Sequence, residues 1–275
     1  MAARINTILI IGGTSGIGEQ VARRFHSLGK KVIVTGRNEA KLNSLAKELN
    51  GLETRKFDIT DFATLPREIS EILKAYPTLD SAILNAGIQN SWNLLDATSI
   101  EPSDIEREIT TNLTAPAMLV QLLAPHFLRL ALKGTKTTFF LTSSSLAYVP
   151  WEFYPTYSAS KAGVHALALT LRHQILYYAP VEAKVNFNVV EIVPPYTDTG
   201  SDKDHREYVI AMQGGPDRAW PIMPVGEFVE GFFKELEDTE EDGSVKKEIG
   251  VGIGKTCVET WRGSLQTIYD GWMDT

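Results

Sequence analysis

The amino-acid sequence predicts a doubly wound α/β fold: an open parallel sheet flanked by helices on both faces, in a single domain spanning 1–275. Three observations point there. Short β-branched apolar runs alternate with amphipathic stretches along most of the chain. Those runs are apolar on successive residues, as in strands buried on both faces. The first of them ends in glycines and leads directly into a helical pattern. At 275 residues and 43% hydrophobic, the chain is near the upper size for one continuous core.

Taken in order, TILIIG (7–12) is the first strand, stopped by glycine, and Gly16 to Leu28 is a helix with apolar residues recurring at three and four. KVIVTG (31–36) and the helix Glu39 to Leu49 repeat the unit, followed by ETRKFD (53–58) and the helix Phe62 to Ala75. DSAILN (80–85) and KTTFFLTS (136–143) bracket a long helix, Ser103 to Ala131. Proline suits a first helical position, so Pro155 opens the helix that runs to Tyr178. KVNFNVVEIV (184–193) is the sixth strand. The rhythm then breaks. Residues 194–226 are rich in Pro, Gly and charge, as expected of an irregular substrate lid. A helix over Val225 to Leu236, a solvated acidic turn EDTEEDG (237–243) and a last strand KKEIGVGI (246–253) follow, before an atypical tail over about 254–275 that carries two tryptophans.

A net charge of −7 argues against a nucleic-acid partner and favours small molecules. Cys257 is alone, so no internal disulfide forms and nothing suggests an oxidising compartment. The N-terminal apolar run is too short for a signal-peptide core or a membrane span, and a cytoplasmic location with no membrane partner is the expectation. The five histidines, 26, 126, 165, 173 and 205, lack ligand spacing, and no metal site is expected.

IGGTSGIG (11–18) places glycines at a strand-to-helix junction, where free N–H groups and the helix dipole converge on negative charge. Gly12 would make the turn, Gly16 the close approach and Gly18 the packing of helix on strand, with Thr14 and Ser15 offering hydroxyls to phosphate and Ile17 lying between. On strand one of a βαβ series this is expected to be a Rossmann-type dinucleotide cradle, the alternative being a merely structural turn. At the end of the second strand, Gly36 stands where an acid would select NAD(H), and Arg37 follows with no opposing carboxylate until Glu39. NADP(H) is therefore favoured over NAD(H). Asp58 either accepts from adenine or caps the next helix. Asn85, Ala86 and Gly87 close the fourth strand with small residues that admit a flat ligand.

In YPTYSASKAG (154–163), Tyr157 and Lys161 stand at i and i+4, on one helix face. A free phenol titrates near 10, and an adjacent ammonium with a helix N-terminus would favour phenolate, making a general acid or base. The pair alone is weak. The hydroxyls of FFLTSSS, at the carboxyl end of the fifth strand, project into the same crevice.

With these motifs in place, the sequence resembles the short-chain dehydrogenase/reductases over about residues 5–200: IGGTSGIG, FDIT (57–60), LNAG (84–87), TTNL (110–113), TSSS (142–145), YSASK (157–161) and PPYTDT (194–199) occur in order. The resemblance implies a catalytic tetrad of Asn112, Ser144, Tyr157 and Lys161. Pro194, Thr199 and the backbone near Thr197 would hold the nicotinamide end. Lys161 would lower the tyrosine pKa and anchor the nicotinamide ribose, and Asn112 would hold a water that reprotonates the lysine. The implied activity is hydride transfer between NADP(H) and a ketone or aldehyde, or in reverse a secondary alcohol. Ile11 departs from the usual threonine, and Pro195 from the usual glycine. The tail replaces a glycine-rich strand end on which tetrameric members build an interface, putting a tetramer in doubt. A homodimer through the helices at 103–131 and 155–178 is expected, the latter carrying Ala159, Ala162, Gly163, Ala166 and Ala168. Tyr148, Trp151, Phe153 and Tyr154 either line an apolar substrate mouth opposite the lid or form a packed cluster. A non-catalytic NADP(H)-binding regulator is the alternative from another class.

Overall fold

A computed structural model describes residues 2–240 and 244–271. A short turn at Ala2–Arg4 leads into β1 (Thr7–Ile11), α1 (Gly16–Ser27), β2 (Lys31–Gly36), α2 (Glu39–Glu48), β3 (Glu53–Lys56), α3 (Leu65–Ala75) and β4 (Ser81–Leu84). Next come α4 (Pro102–Ile109), a wider π-helical turn (Thr110–Thr114) and α5 (Ala115–Leu132), which together form one long bent helix, then β5 (Thr137–Thr142). The second half holds α6 (Pro155–Tyr178), α7 (Val181–Lys184), β6 (Phe187–Val193), β7 (Thr197–Asp198), α8 (Arg206–Met212), β8 (Met223–Pro224), α9 (Val225–Glu237), β9 (Glu248–Gly250), α10 (Ile253–Ser264) and α11 (Gln266–Gly271).

Seven strands form one parallel sheet in the order β3-β2-β1-β4-β5-β6-β9. The direction of winding reverses between β1 and β4, which is where open sheets of this kind hold ligands at their carboxyl ends. Alternate side chains of β1 explain the layers. Ile8 and Ile10 pack with Val21, Phe25, Leu42, Phe228 and Phe232 of α1, α2 and α9, whereas Leu9 and Ile11 pack with Leu65, Ile69, Leu123, Phe127 and Ala168 of α3, α5 and α6. The α4–α5 helix is long and apolar enough to cross a membrane by length and composition. Its Leu119, Leu123 and Phe127 are instead buried in the second of those layers.

The lid, read as irregular, and the tail, read as atypical, both carry structure. The lid contains β7, α8 and β8, tied down where Arg206 pairs with Asp198 and Asp202 at 2.7 Å. The tail forms α10 and α11 against α6: Trp261 meets the His165 ring edge-on at 5.2 Å, Tyr269 stacks on His173 at 4.1 Å, and the Tyr269 hydroxyl donates to the Leu169 carbonyl at 2.7 Å. Arg262 adds a 2.7 Å ion pair to buried Glu248. These contacts span large sequence separations, so the tail's own pattern does not announce them. Residues 241–243 of the acidic run and 272–275 of the tail, including Trp272, lie outside the described residues. On α6, Gly163 abuts Leu113 and Ala168 is buried inside the subunit, while Ala159 and Ala166 stay exposed.

Candidate active site

The carboxyl ends of the central strands frame a cleft of about 720 Å³. Its floor is the glycine turn. Gly12 has φ +83°, outside the range that side-chain-bearing residues favour, and a Cβ there would lie 2.6 Å from the Ala86 backbone. A Cβ on Gly18 would sit 2.2 Å from the Gly12 carbonyl oxygen, so helix and turn touch backbone to backbone. Gly16, with φ +54°, lies under the Thr199 side chain, which brings the turn after β6 over the cradle. Thr14 packs across Gly36, and exposed Ser15, although it precedes α1, makes no capping hydrogen bond and keeps its hydroxyl free. Asn85 donates its amide to the Gly12 carbonyl at 3.2 Å, joining β4 to the turn.

Arg37 is exposed at the mouth, and here the reading of an unopposed arginine needs correcting. Asp58, from the end of β3, lies 3.6 Å from its guanidinium, while Glu39 pairs with Lys56 at 2.7 Å. Strand pairing of β2 with β3 makes that approach, which sequence separation conceals. Asp58 also accepts from the Thr60 N–H and hydroxyl at 2.9 and 2.8 Å, so it braces its own turn. Burial raises its pKa, but the Thr60 bonds and the Arg37 charge outweigh that and hold it below the usual carboxylate range. Lys41 also lines this end of the cleft, a residue that sequence reasoning missed although it stands at i+4 from Arg37.

At the other end, Tyr157 and Lys161 open α6. The Lys161 ammonium lies 5.6 Å from the Tyr157 ring centre and donates to the Thr142 carbonyl at 2.9 Å. Of the three adjacent serines, Ser144 is the one that pulls the Tyr157 pKa down, while its own hydroxyl accepts from the Leu146 N–H at 3.1 Å. Ser143 instead donates to buried Glu191, and Ser145 fastens its N–H to the Pro194 carbonyl at 2.9 Å. Asn112 lies in the π turn, a distortion often found at functional positions. Its side chain is buried, accepting from the Ile88 N–H at 2.9 Å and donating to the Ile88 carbonyl at 2.8 Å and to Ser160 at 3.1 Å. Gly87 is held beside it: a Cβ there would come within 3.2 Å of Asn112 and 3.5 Å of Lys161. Pro194 and Thr197 line the same wall.

Burial decides the electrostatics. It pushes the Tyr157 phenol up to about 12, with the Ser144 hydrogen bond pulling down and the Glu108 carboxylate pushing further up. Burial also pushes Lys161 down to about 8, against the raising effect of Glu108. The expectation of a phenol made acidic by its lysine is thus reversed: near neutral pH the tyrosine keeps its proton and the lysine its charge. A neutral phenol beside a serine hydroxyl is a proton donor to an oxygen placed between them.

The aromatic residues divide. Trp151 and Tyr154 line the cleft, with ring centres 5.6 Å apart, and Tyr154 is packed 6.4 Å from Tyr157. Tyr148 points away and donates to Glu191 at 3.1 Å, and Phe153 packs edge-on against Trp151 behind the wall. Ile88, Gln89, Asn90 and His205 also line the site and had no sequence signal. A hollow of about 510 Å³ between α3 and α5 gathers none of the residues expected at the site.

The glycine cradle, the hydroxyl pair and the lysine fit a bound dinucleotide, and the buried Thr142 hydroxyl in the cleft wall has no hydrogen-bond partner among the described residues. The family model for short chain dehydrogenases matches residues 6–209. The chain belongs to the short-chain dehydrogenase family. This member is 35% identical over 202 residues to the uncharacterized oxidoreductase DltE of Bacillus subtilis, covering 74% of this chain and 75% of that one. It is 30% identical over 178 residues to dehydrogenase/reductase SDR family member 7B of Bos taurus, spanning 61% of this chain and about half, 53%, of the bovine one. Among solved structures, a 3-ketoacyl-(acyl-carrier-protein) reductase from Brucella melitensis complexed with NADH superposes with a TM-score of 0.71 at 21% identity, over 90% of this chain and 96% of that one. The short-chain dehydrogenase described here is thus an oxidoreductase by family, and its sheet is the family's fold.

Proposed function

We propose that the protein is an NADP(H)-dependent reductase of ketones or aldehydes, and in reverse a dehydrogenase of secondary alcohols. The observation that carries this reading is the gathering of Ser144, Tyr157 and Lys161 at one end of a cleft whose far end is Arg37. When bound, the cofactor supplies the hydride. The chain's own groups do the rest. Ser144 orients the substrate oxygen by hydrogen bond, and Tyr157 gives that oxygen its proton. Lys161 holds positive charge against the phenol and, as the family resemblance implies, binds the nicotinamide ribose. Gly12 to Gly18 approach the pyrophosphate with backbone N–H groups. Trp151 and Tyr154 give the mouth an apolar wall.

Preference for the phosphorylated cofactor is supported by Arg37 and Lys41. The pairing of Arg37 with Asp58 is long and exposed, a kind of contact worth little, so the guanidinium can exchange it for a phosphate. Arg37→Asp is expected to raise the KM for NADPH about tenfold to a hundredfold, the loss of one charge-assisted contact, while sparing NADH. The check is a spectrophotometric comparison of both cofactors against diverse carbonyls. An unchanged preference would remove Arg37 from the phosphate site, and failure of the wild type to consume either cofactor with any carbonyl or alcohol would favour the regulator reading.

A pH dependence follows from Tyr157 and Lys161. Below about 8 Lys161 is charged and Tyr157 protonated, the pair needed for reduction. As pH rises through about 8, Lys161 loses its proton while Tyr157 keeps its own, so kcat/KM for reduction is expected to fall there. Alcohol oxidation, which needs Tyr157 as phenolate, should instead rise only as pH approaches about 12. A reduction rate level from pH 7 to 10 would contradict the assignment.

A further inference from the structure

Glu108 is a buried ionisable group that this mechanism leaves without a task. It lies on the last turn of α4, fully buried, four residues before Asn112. Burying a carboxylate is costly unless hydrogen bonds compensate, so its retention calls for a reason. One oxygen accepts both the backbone N–H and the side-chain amide of Asn90, at 2.9 and 3.1 Å. The other accepts the hydroxyl of Thr156, the residue before Tyr157. A single carboxylate thereby clamps the cleft-lining segment after β4 to the first turn of α6, within electrostatic reach of both Tyr157 and Lys161.

We propose that Glu108 is a positioning residue whose charge keeps the Tyr157–Lys161 pair loaded with both protons, phenol neutral and ammonium charged, and whose bonds to Thr156 and Asn90 hold the first turn of α6 in place. The inference rests on the reading of that pair as the proton-transfer machinery. A negative charge favours the protonated state of a phenol and of an amine alike, so one group biases both in the same sense. Other groups facing the pair offset this less. Tyr154 packs on Tyr157, with its own ionisation pushed up by burial and by Asp202. His205 meets Tyr154 at 5.5 Å and is pushed towards its neutral form by burial. Behind them Asp202 and Arg206 are paired at 2.7 Å and largely cancel. On α4 itself, Arg107 is taken up by Asp104 at 2.7 Å.

The test compares Glu108→Gln, which keeps the shape and removes the charge, with Thr156→Val, which keeps the charge and removes one bond. In E108Q the alkaline fall of carbonyl reduction is expected to move down by about one pH unit, the size of a unit charge acting across a partly screened interior. In the free protein, phenolate absorbance measured against the corresponding Tyr157→Phe form should titrate lower by a similar amount. In T156V both titrations should stay within about 0.3 unit of wild type while kcat falls, with the positional share showing in kcat rather than in pH. A simple strut would leave both titrations of E108Q where the wild type has them, and that result overturns the proposal. If the wild type reduces no carbonyl yet the phenolate titration still moves, the role of Glu108 in loading the pair stands and the functional reading falls. Should E108Q not fold, Glu108→Asp retains the charge and must titrate like the wild type; a downward move there is equally fatal.

Discussion

Tyr157→Phe is expected to lower kcat for carbonyl reduction by about a hundredfold to ten-thousandfold, the range lost when a positioned general acid is removed. Cofactor affinity should stay within about twofold. The asymmetry has a structural cause. The exchange removes one oxygen and leaves the ring, which keeps its packing at 6.4 Å from Tyr154 and its place at 5.6 Å from the Lys161 ammonium, so no cavity opens and α6 has no reason to shift. What disappears is the hydroxyl that would protonate the substrate oxygen. Single-turnover oxidation of NADPH, read beside cofactor binding by fluorescence, separates the two effects. Turnover equal to wild type would show that the proton comes from elsewhere and would end the assignment of this cleft as the reaction site.

Gly18→Ala is expected to weaken cofactor binding at least tenfold and to destabilise the fold by about 1–3 kcal/mol, the usual range for forcing volume into a close-packed site. The added methyl would lie 2.2 Å from the Gly12 carbonyl oxygen and 2.8 Å from the Asn85 amide. The first neighbour is backbone and cannot rotate away. Either α1 recoils from β1 or the turn tilts, and in both cases the Asn85 to Gly12 hydrogen bond at 3.2 Å is lost with the cradle's shape. Gly263→Ala in α10 is the matched control. It is exposed with nothing within 4 Å, so a methyl there should be neutral or slightly stabilising through helix propensity. Thermal melts and cofactor titration of the two variants provide the check; a Gly18 variant as firm and as tight as the control would refute the backbone contact.

The layered sheet was legible from the chain because its signals are local. The β-branched runs that became β1, β2, β4, β5 and β6 and the three-and-four spacing of α1, α3 and α6 are properties of a dozen residues at a time. The glycine turn and the i, i+4 placement of Tyr157 and Lys161 belong to the same short range, which is why the turn and the shared helix face are legible in the sequence. Tertiary structure decided what depends on distant partners. It brought Asp58 to Arg37 across two strands, turned Ser143 to Glu191 and left Ser144 to Tyr157, and took Tyr148 out of the mouth. It folded the tail onto α6 and placed Glu108 against Thr156, 48 residues along the chain. Above all, it reversed the expected sense of the tyrosine's ionisation. Sequence shows that a cation stands next to a phenol, but only the packed structure shows the burial that pushes the tyrosine's pKa up and the lysine's down.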